Sequence, residues 1–337
     1  VAGLISVQNV AKRFSSPPSL QDRLARLAGR KATPRTVHAV DGVSLDIAKG
    51  EVLGLVGESG CGKSTLGRIV SGILPPSSGQ ALLAGAPVMR AGRIPVKITT
   101  RVQMIFQDPF ASLDPRMRVG DIVAEGPVAN GLVARKDAAG DTAKWLAAVG
   151  LDASAAQRYP HQFSGGQRQR VAIARALAMR PDILVCDEPV ASLDVSIQAQ
   201  IINLFLKLKR ELGLTMLFIS HDLGLVRHVS DRVAIMYLGR LVEVGATKDV
   251  FAAPRHPYTR ALLDSMPTLR LDADEIASFK PIEGELPSPL TPPPGCHFHQ
   301  RCPVAQDTCR TIAPQRTRAS DGREIACHFP IEETVHD

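Results

Sequence analysis

The chain has 337 residues, 45% of them hydrophobic and 22% charged. That balance excludes a disordered or fibrous polypeptide and leaves room for one large core with an appendage. Lys and Arg number 40 against 33 Asp and Glu, a formal net charge of +7, which suits nucleotide, nucleic acid or an anionic membrane face and selects none of them. Aromatic residues make up only 4%, too few to build the stacking platforms of a single-stranded nucleic-acid binder. No run approaches the roughly 18 apolar residues that a membrane-crossing helix needs. Residues Val1 to Val10 lack a basic flank, a long apolar core and a small-residue cleavage site, so no secretory signal is expected.

In chain order, short β-rich runs are predicted at 4–10, 43–47, 51–56, 80–84 and 101–106, divided by Gly and Pro. Residues 15–36 break the rhythm with Pro17, Pro18 and Pro34, and set Arg23, Arg26, Arg30, Lys31 and Arg35 against one acid, Asp22. They read as a solvated surface insertion, the alternative being contact with a membrane face or a partner subunit. From Asp121 the texture is helical, through 143–149, 165–179 and 196–212, with apolar strands at 183–186 and 215–219 between the helices. Apolar strands alternating with helices imply a largely parallel sheet covered on both faces, an α/β nucleotide-binding layout. One more helix is expected at 256–266, then a Pro-rich linker at 281–295, then a small terminal lobe holding four of the six Cys. There is no internal repeat.

The strand at 51–56 runs into Gly57, Glu58, Ser59, Gly60, Cys61, Gly62, Lys63, Ser64 and Thr65, followed by a helical stretch. This is a P-loop in the strand, loop, helix context it requires. Its backbone N–H groups converge on phosphate oxygens, Lys63 supplies a cation near the β and γ phosphates, and Ser64 offers a hydroxyl to Mg²⁺. A second apolar strand delivers Asp187, placed to hold Mg²⁺ through water, and Glu188, placed to orient or deprotonate the attacking water. Ser164, Gly165, Gly166 and Gln167 open a helix ahead of them, with Ser164 as its cap and the glycines clearing space for a phosphate. One chain cannot easily fold both cradles around one nucleotide, which argues for a dimer.

Taken together, these motifs resemble the ATP-binding subunit of ATP-binding cassette (ABC) transporters, although Phe163 stands where that family's LSGGQ signature usually has Leu. The resemblance implies a P-loop NTPase of the ABC type: a RecA-like core, an antiparallel β subdomain, a helical signature subdomain and a small C-terminal extension. It identifies Gln107 as the Q-loop residue that contacts Mg²⁺ and attacking water, Asp194 as part of the D-loop, and His221 as the switch histidine on the γ-phosphate. Phe14 aligns with the residue that stacks on adenine, with His38 as the substitute. The cassette is expected over 1–254 and the extension over 255–337.

That extension, through residues 256–263, 283–289 and 295–296, resembles the tail of ATPases that drive bacterial dipeptide and oligopeptide importers, and is similar to parts of nickel and glutathione importer subunits. The resemblance implies a second cassette, identical or homologous, two membrane permease subunits, an extracytoplasmic peptide-binding protein, and a peripheral place on the cytoplasmic face of the inner membrane. A soluble ATPase acting on ribosomes or DNA is the rival; nucleic acid is not expected as a partner. Cys296, Cys302, Cys309 and Cys327 are separated by five, six and 17 residues. A reducing compartment disfavours disulfides there, and zinc favours tighter pairs. Four Cys suit a [4Fe-4S] cluster, and the resemblance to peptide-importer tails, which are associated with one, implies it here. Zinc, with His297, His299 and His328 as mixed ligands, and free or disulfide-linked thiols are the alternatives. Cys61 and Cys186 read as packing residues.

Overall fold

The structure is a computed structural model and describes residues 3–15, 35–90, 92, 94–266 and 282–332. The basic insertion, apart from its ends, lies outside the described residues. Fourteen strands are described: β1 Ile5–Ser15, β2 Thr36–Ile47, β3 Val52–Val56, β4 Ser78–Leu83, β5 Ala86–Pro87, β6 Met89–Arg90, β7 Val96–Lys97, β8 Val102–Ile105, β9 Ile183–Asp187, β10 Thr215–Ser220, β11 Arg232–Tyr237, β12 Arg240–Ala246, β13 Thr317–Arg318 and β14 Glu324–Ile325. The described α-helices are α1 Lys63–Val70, α2 Pro109–Ser112, α3 Val119–Ala129, α4 Ala138–Ala148, α5 Gly165–Ala178, α6 Val195–Leu212, α7 Leu223–Val229, α8 Thr247–Ala252, α9 Pro257–Asp264 and α10 Asp307–Thr311.

The main sheet runs β13-β14-β12-β11-β3-β10-β9-β8. Its middle strands β11, β3, β10, β9 and β8 are mutually parallel, and every residue of β3, β9 and β10 is buried. Strands enclosed on both faces need no polar alternation, which is why they read as unbroken apolar runs. Because they are parallel, β3, β9 and β10 end at one edge, where an open α/β sheet presents its ligand-binding loops. A smaller antiparallel sheet, β2-β1-β4-β5, folds over α1. Its inward residues Ile5, Val7, Val43, Leu45 and Ile47 share an apolar cluster with Leu66, Ile69 and Val70 of that helix. A helical region of α3, α4 and α5 closes round Trp145, Leu146 and Val123.

The tail is less separate than its composition implies. Strand β14 pairs with β12, Glu243 opposite Ile325, and so extends the main sheet. Phe298 is buried against Tyr237 and Tyr258, at ring separations of 5.2 and 5.3 Å. Glu243, fully buried, accepts the backbone N–H groups of Arg255 and His256 at the start of α9 and lies 3.9 Å from Arg323. Residues beyond 254 therefore complete the cassette's own core. The sequence reading passed over strands β11 and β12, the first half of β2, the two-residue strands β5, β6, β7, β13 and β14, and helices α7, α8 and α10.

Candidate functional site

Strand β3 stops at Val56 and the chain crosses the end of β11. A Cβ on Gly57 would lie 2.1 Å from the Met236 carbonyl oxygen, and one on Gly62, at φ 111°, would lie 2.1 Å from the Ala39 carbonyl oxygen. Only glycine permits the loop to run this close to both strands. The loop delivers Lys63 to the start of α1, where it is 4% exposed and donates to the carbonyls of Gly57 (2.7 Å) and Glu58 (2.9 Å). Both acceptors belong to the loop itself, so the ammonium is folded back against it. Ser59 and Gly60 are exposed at the tip, while Thr65 is half-buried in the first turn of the helix. Cys61 is buried, and burial raises its thiol pKa, which keeps it protonated and unreactive.

At the end of β9, Asp187 accepts a 2.8 Å hydrogen bond from the Ser64 hydroxyl. Burial pushes its carboxyl pKa up, against the lowering effect of Ser64 and of the nearby Arg68. A carboxylate kept partly dry beside a hydroxyl is a hard-oxygen donor set, the chemistry that Mg²⁺ prefers. The next residue, Glu188, has φ 46°, a conformation that costs a non-glycine residue energy and turns the backbone sharply out of the strand. Its Oε2 accepts from Gln107 Nε2 at 3.0 Å and lies 3.3 Å from His221 Nδ1. Three residues from three separate segments, following β8, β9 and β10, thus meet on one oxygen. His221 is more than half exposed, free to turn toward a ligand.

The other cradle stands apart. Ser164 Oγ caps α5 by accepting from Gln167 N (3.4 Å), and Gln167 Oε1 accepts from Ser164 N (3.1 Å), a reciprocal capping box. Among the described residues no hydrogen bond or ion pair joins 164–167 to the P-loop. Gly166 is small for a reason beyond phosphate access: its Cβ would sit 2.5 Å from Ile197 Cγ2 on α6. Phe163 is buried, with the Arg158 guanidinium over its ring at 4.1 Å. Asp194 precedes α6 without a side-chain capping bond and is exposed. The Q-loop is tied to α5 by Arg168, stacked 3.8 Å over the Phe110 ring, and by Arg175, which donates to the Ser112 carbonyl.

Phe14 lies on β1 opposite Val37, is 41% exposed, and has Lys12 Nζ 5.1 Å from its ring centre. His38, one residue further along β2, donates its backbone N–H to the Pro289 carbonyl. Cys296, Cys302, Cys309 and Cys327 line one small cavity with Phe298, His299, His328 and Phe329, and none is in a disulfide. His297, His299 and His328 each engage a backbone carbonyl, of Leu238, Cys296 and Ile312. Among the described residues no three Cys, His, Asp or Glu side chains converge as one metal ion demands.

One feature of the site lay beyond the motif reading. Glu58, in the middle of the phosphate loop, accepts both arms of the Arg301 guanidinium, at 2.7 and 2.9 Å, and its N–H donates to Tyr258 Oη at 3.0 Å. A carboxylate inside an anion cradle was the available signal, since it needs a cation from somewhere.

The chain is 46% identical over 325 residues to a Brucella ovis protein named for peptide import and ATP binding, covering 96% of this chain and 97% of that one. It belongs to the ATP-binding proteins of the ABC transporters. The oligopeptide transport ATP-binding protein AppF of Bacillus subtilis is 48% identical, with 87% of this chain and 90% of that one covered. The ABC transporter family matches residues 40–191, and the oligopeptide/dipeptide transporter C-terminal region matches 242–309. A Clostridium perfringens cassette, part of an ABC transporter complex, superimposes with TM-score 0.60 at 30% identity over 75% of this chain and 92% of that one. A dimeric cassette bound to ADP and Pi gives 0.57 at 25% identity over 72% and 98%. The fold is the ABC ATPase P-loop fold, and the cassette is an ATPase.

Proposed function

We propose that this ATPase powers uptake of dipeptides or oligopeptides through separate permease subunits, as a peripheral subunit on the cytoplasmic face of the membrane. The observation that carries the reading is the meeting of Gln107, Glu188 and His221 on one carboxylate oxygen beside the P-loop, in a chain whose residues 242–309 match the peptide-transporter tail. Among the described residues no helix is long and apolar enough to cross a membrane, and the reading gives the pore to separate permease subunits.

In this reading two cassettes face each other, and each ATP lies between one P-loop and the partner's segment 164–167. Lys63 exchanges its carbonyl partners for the β and γ phosphates. Ser64 and Asp187 would hold Mg²⁺, which when bound would supply neutralisation of phosphate charge. Glu188 accepts a proton from the attacking water, Gln107 orients that water, and His221 donates to the γ-phosphate. Phe14, or His38, stacks on the base. Phe110 and the exposed Q-loop pass the closing motion to the permease, with Arg168 and Arg175 carrying it to α5.

The four thiols line one cavity, and four Cys as sole ligands suit a [4Fe-4S] cluster, although among the described residues no group of three Cys, His, Asp or Glu side chains is placed to hold a metal ion. The reading assigns Cys296, Cys302, Cys309 and Cys327 to a [4Fe-4S] cluster that staples the tail. Burial raises the pKa of Cys296, Cys302 and Cys327 when no metal is bound, that of Cys327 to about 11, a thiolate cost that a cluster would offset. Anaerobic purification followed by iron and acid-labile sulfide assay is expected to find both; stoichiometric zinc without sulfide overturns the assignment. For the cargo, cells lacking the chain should lose uptake of labelled dipeptides or oligopeptides and regain it with the wild type but not with Glu188→Gln. Loss of nickel or glutathione uptake, with peptide uptake intact, overturns the peptide reading.

A further inference from the structure

We propose that Arg301 of the C-terminal extension is a positioning residue for ATP binding, holding the P-loop in register and cancelling the charge of Glu58. A loop that receives the polyphosphate of ATP gains nothing from an acid in its own turn, because each like charge a few ångströms away repels the ligand. Glu58 is such an acid. Its two oxygens take the two arms of Arg301 at 2.7 and 2.9 Å, the fork geometry that matches guanidinium to carboxylate. The Arg301 side chain is 5% exposed and that of Glu58 23%, so the pair is screened less than a surface pair but is not sealed from salt.

The guanidinium is itself held in place. Arg301 Nε donates to the Glu283 carbonyl at 3.1 Å, and Nη1 lies 3.5 Å from Tyr237 Oη. Tyr237 packs edge-on against Tyr258 at 4.6 Å, and Tyr258 Oη takes the Glu58 N–H. Side chain and backbone of one P-loop residue are thus both anchored by residues beyond 254. The same residue's carbonyl receives Lys63 Nζ, so displacing Glu58 displaces the ammonium's resting place. The extension contributes to the nucleotide site directly, through a contact that no nucleotide-binding motif contains.

The inference rests on the P-loop being the ATP cradle, and the test separates the two. Binding of a fluorescent ATP analogue to the full-length protein is measured at low and high salt. Lys63→Ala should abolish binding; if it does not, the cradle reading fails whatever Arg301 does. Arg301→Ala should weaken binding about tenfold at low salt and less at high salt, with KM for ATP raised and kcat within about twofold. Adding Glu58→Gln to Arg301→Ala should recover at least about threefold, because the uncompensated charge has gone. Should Arg301→Ala fail to fold, Arg301→Lys, which keeps the charge and loses the fork, reads the same effect at about threefold. Unchanged affinity in a folded Arg301 variant overturns the proposal. So does a loss that is indifferent to both salt and Glu58→Gln, which would mark Arg301 as mere scaffolding.

Discussion

Two helices of this cassette begin at a glycine-rich turn, and they begin differently. Helix α1 starts from Gly62, which has no side chain to cap it, so its first turn is left to whatever binds there. Helix α5 starts from Ser164, and a reciprocal box with Gln167 satisfies it from within. In the proposed dimer, the end that would take ATP in its own chain's loop is the open one, and the end that would meet the partner's ATP is the one that keeps its shape alone. The supports differ too: the open end leans on Arg301 and Tyr258 from the tail, the closed one on Leu193 ahead of α6 and Ile197 in its first turn.

The largest effect should separate chemistry from grip. Glu188→Gln keeps the hydrogen-bonding shape beside Gln107 and removes the base; phosphate release should fall about 10²- to 10⁴-fold while ATP binding persists. Retained turnover would strip Glu188 of its role and leave the open end a binding site only. On the closed end, Gly166→Val should cost about 1–3 kcal/mol of stability through collision with Ile197, read as a lower midpoint in urea. An unchanged midpoint would return Gly166 to a purely ligand-facing role. Ser164→Ala should cost about 1 kcal/mol by opening the cap; no change would mean that the box is not what holds α5.

The smallest effect at neutral pH concerns the support of the open end. His256 caps α9, the helix that carries Tyr258, by accepting the Tyr258 N–H. Burial lowers its pKa from 6.5 to about 3, so the folded chain holds it neutral. Its contribution is complete above pH 6.5 and is lost as pH falls from there toward 3, because the unfolded chain takes up the proton first. His256→Gln should flatten the decline of Tm between pH 6.5 and 4 relative to wild type. An equal slope would assign the acid sensitivity to other groups.

The parallel strands β3, β9 and β10 and the P-loop were legible because burial on both faces leaves apolar runs and because a P-loop's residues are contiguous along the chain, whereas the parallel strand β11, nearly as buried, was missed. Asp187 and Glu188 announce themselves by following one such run. The pairing of Glu58 with Arg301 spans 243 positions, and no local periodicity records a contact of that reach. Strand β14 has two residues, of which only Ile325 is deeply buried, too short to show a pattern. Gly166 was visible as a glycine but not as a packing residue, since Ile197 comes close to it only in the fold.

That short strand carries a further consequence. By pairing with Glu243 and Val244 it covers the middle of the β12 margin, and β13 leaves only two residues at the new margin. A protein shortened before residue 324 would present a bare strand of seven residues, ready to recruit a stranger. Such fragments should precipitate or dimerise edge to edge even if their nucleotide chemistry survives.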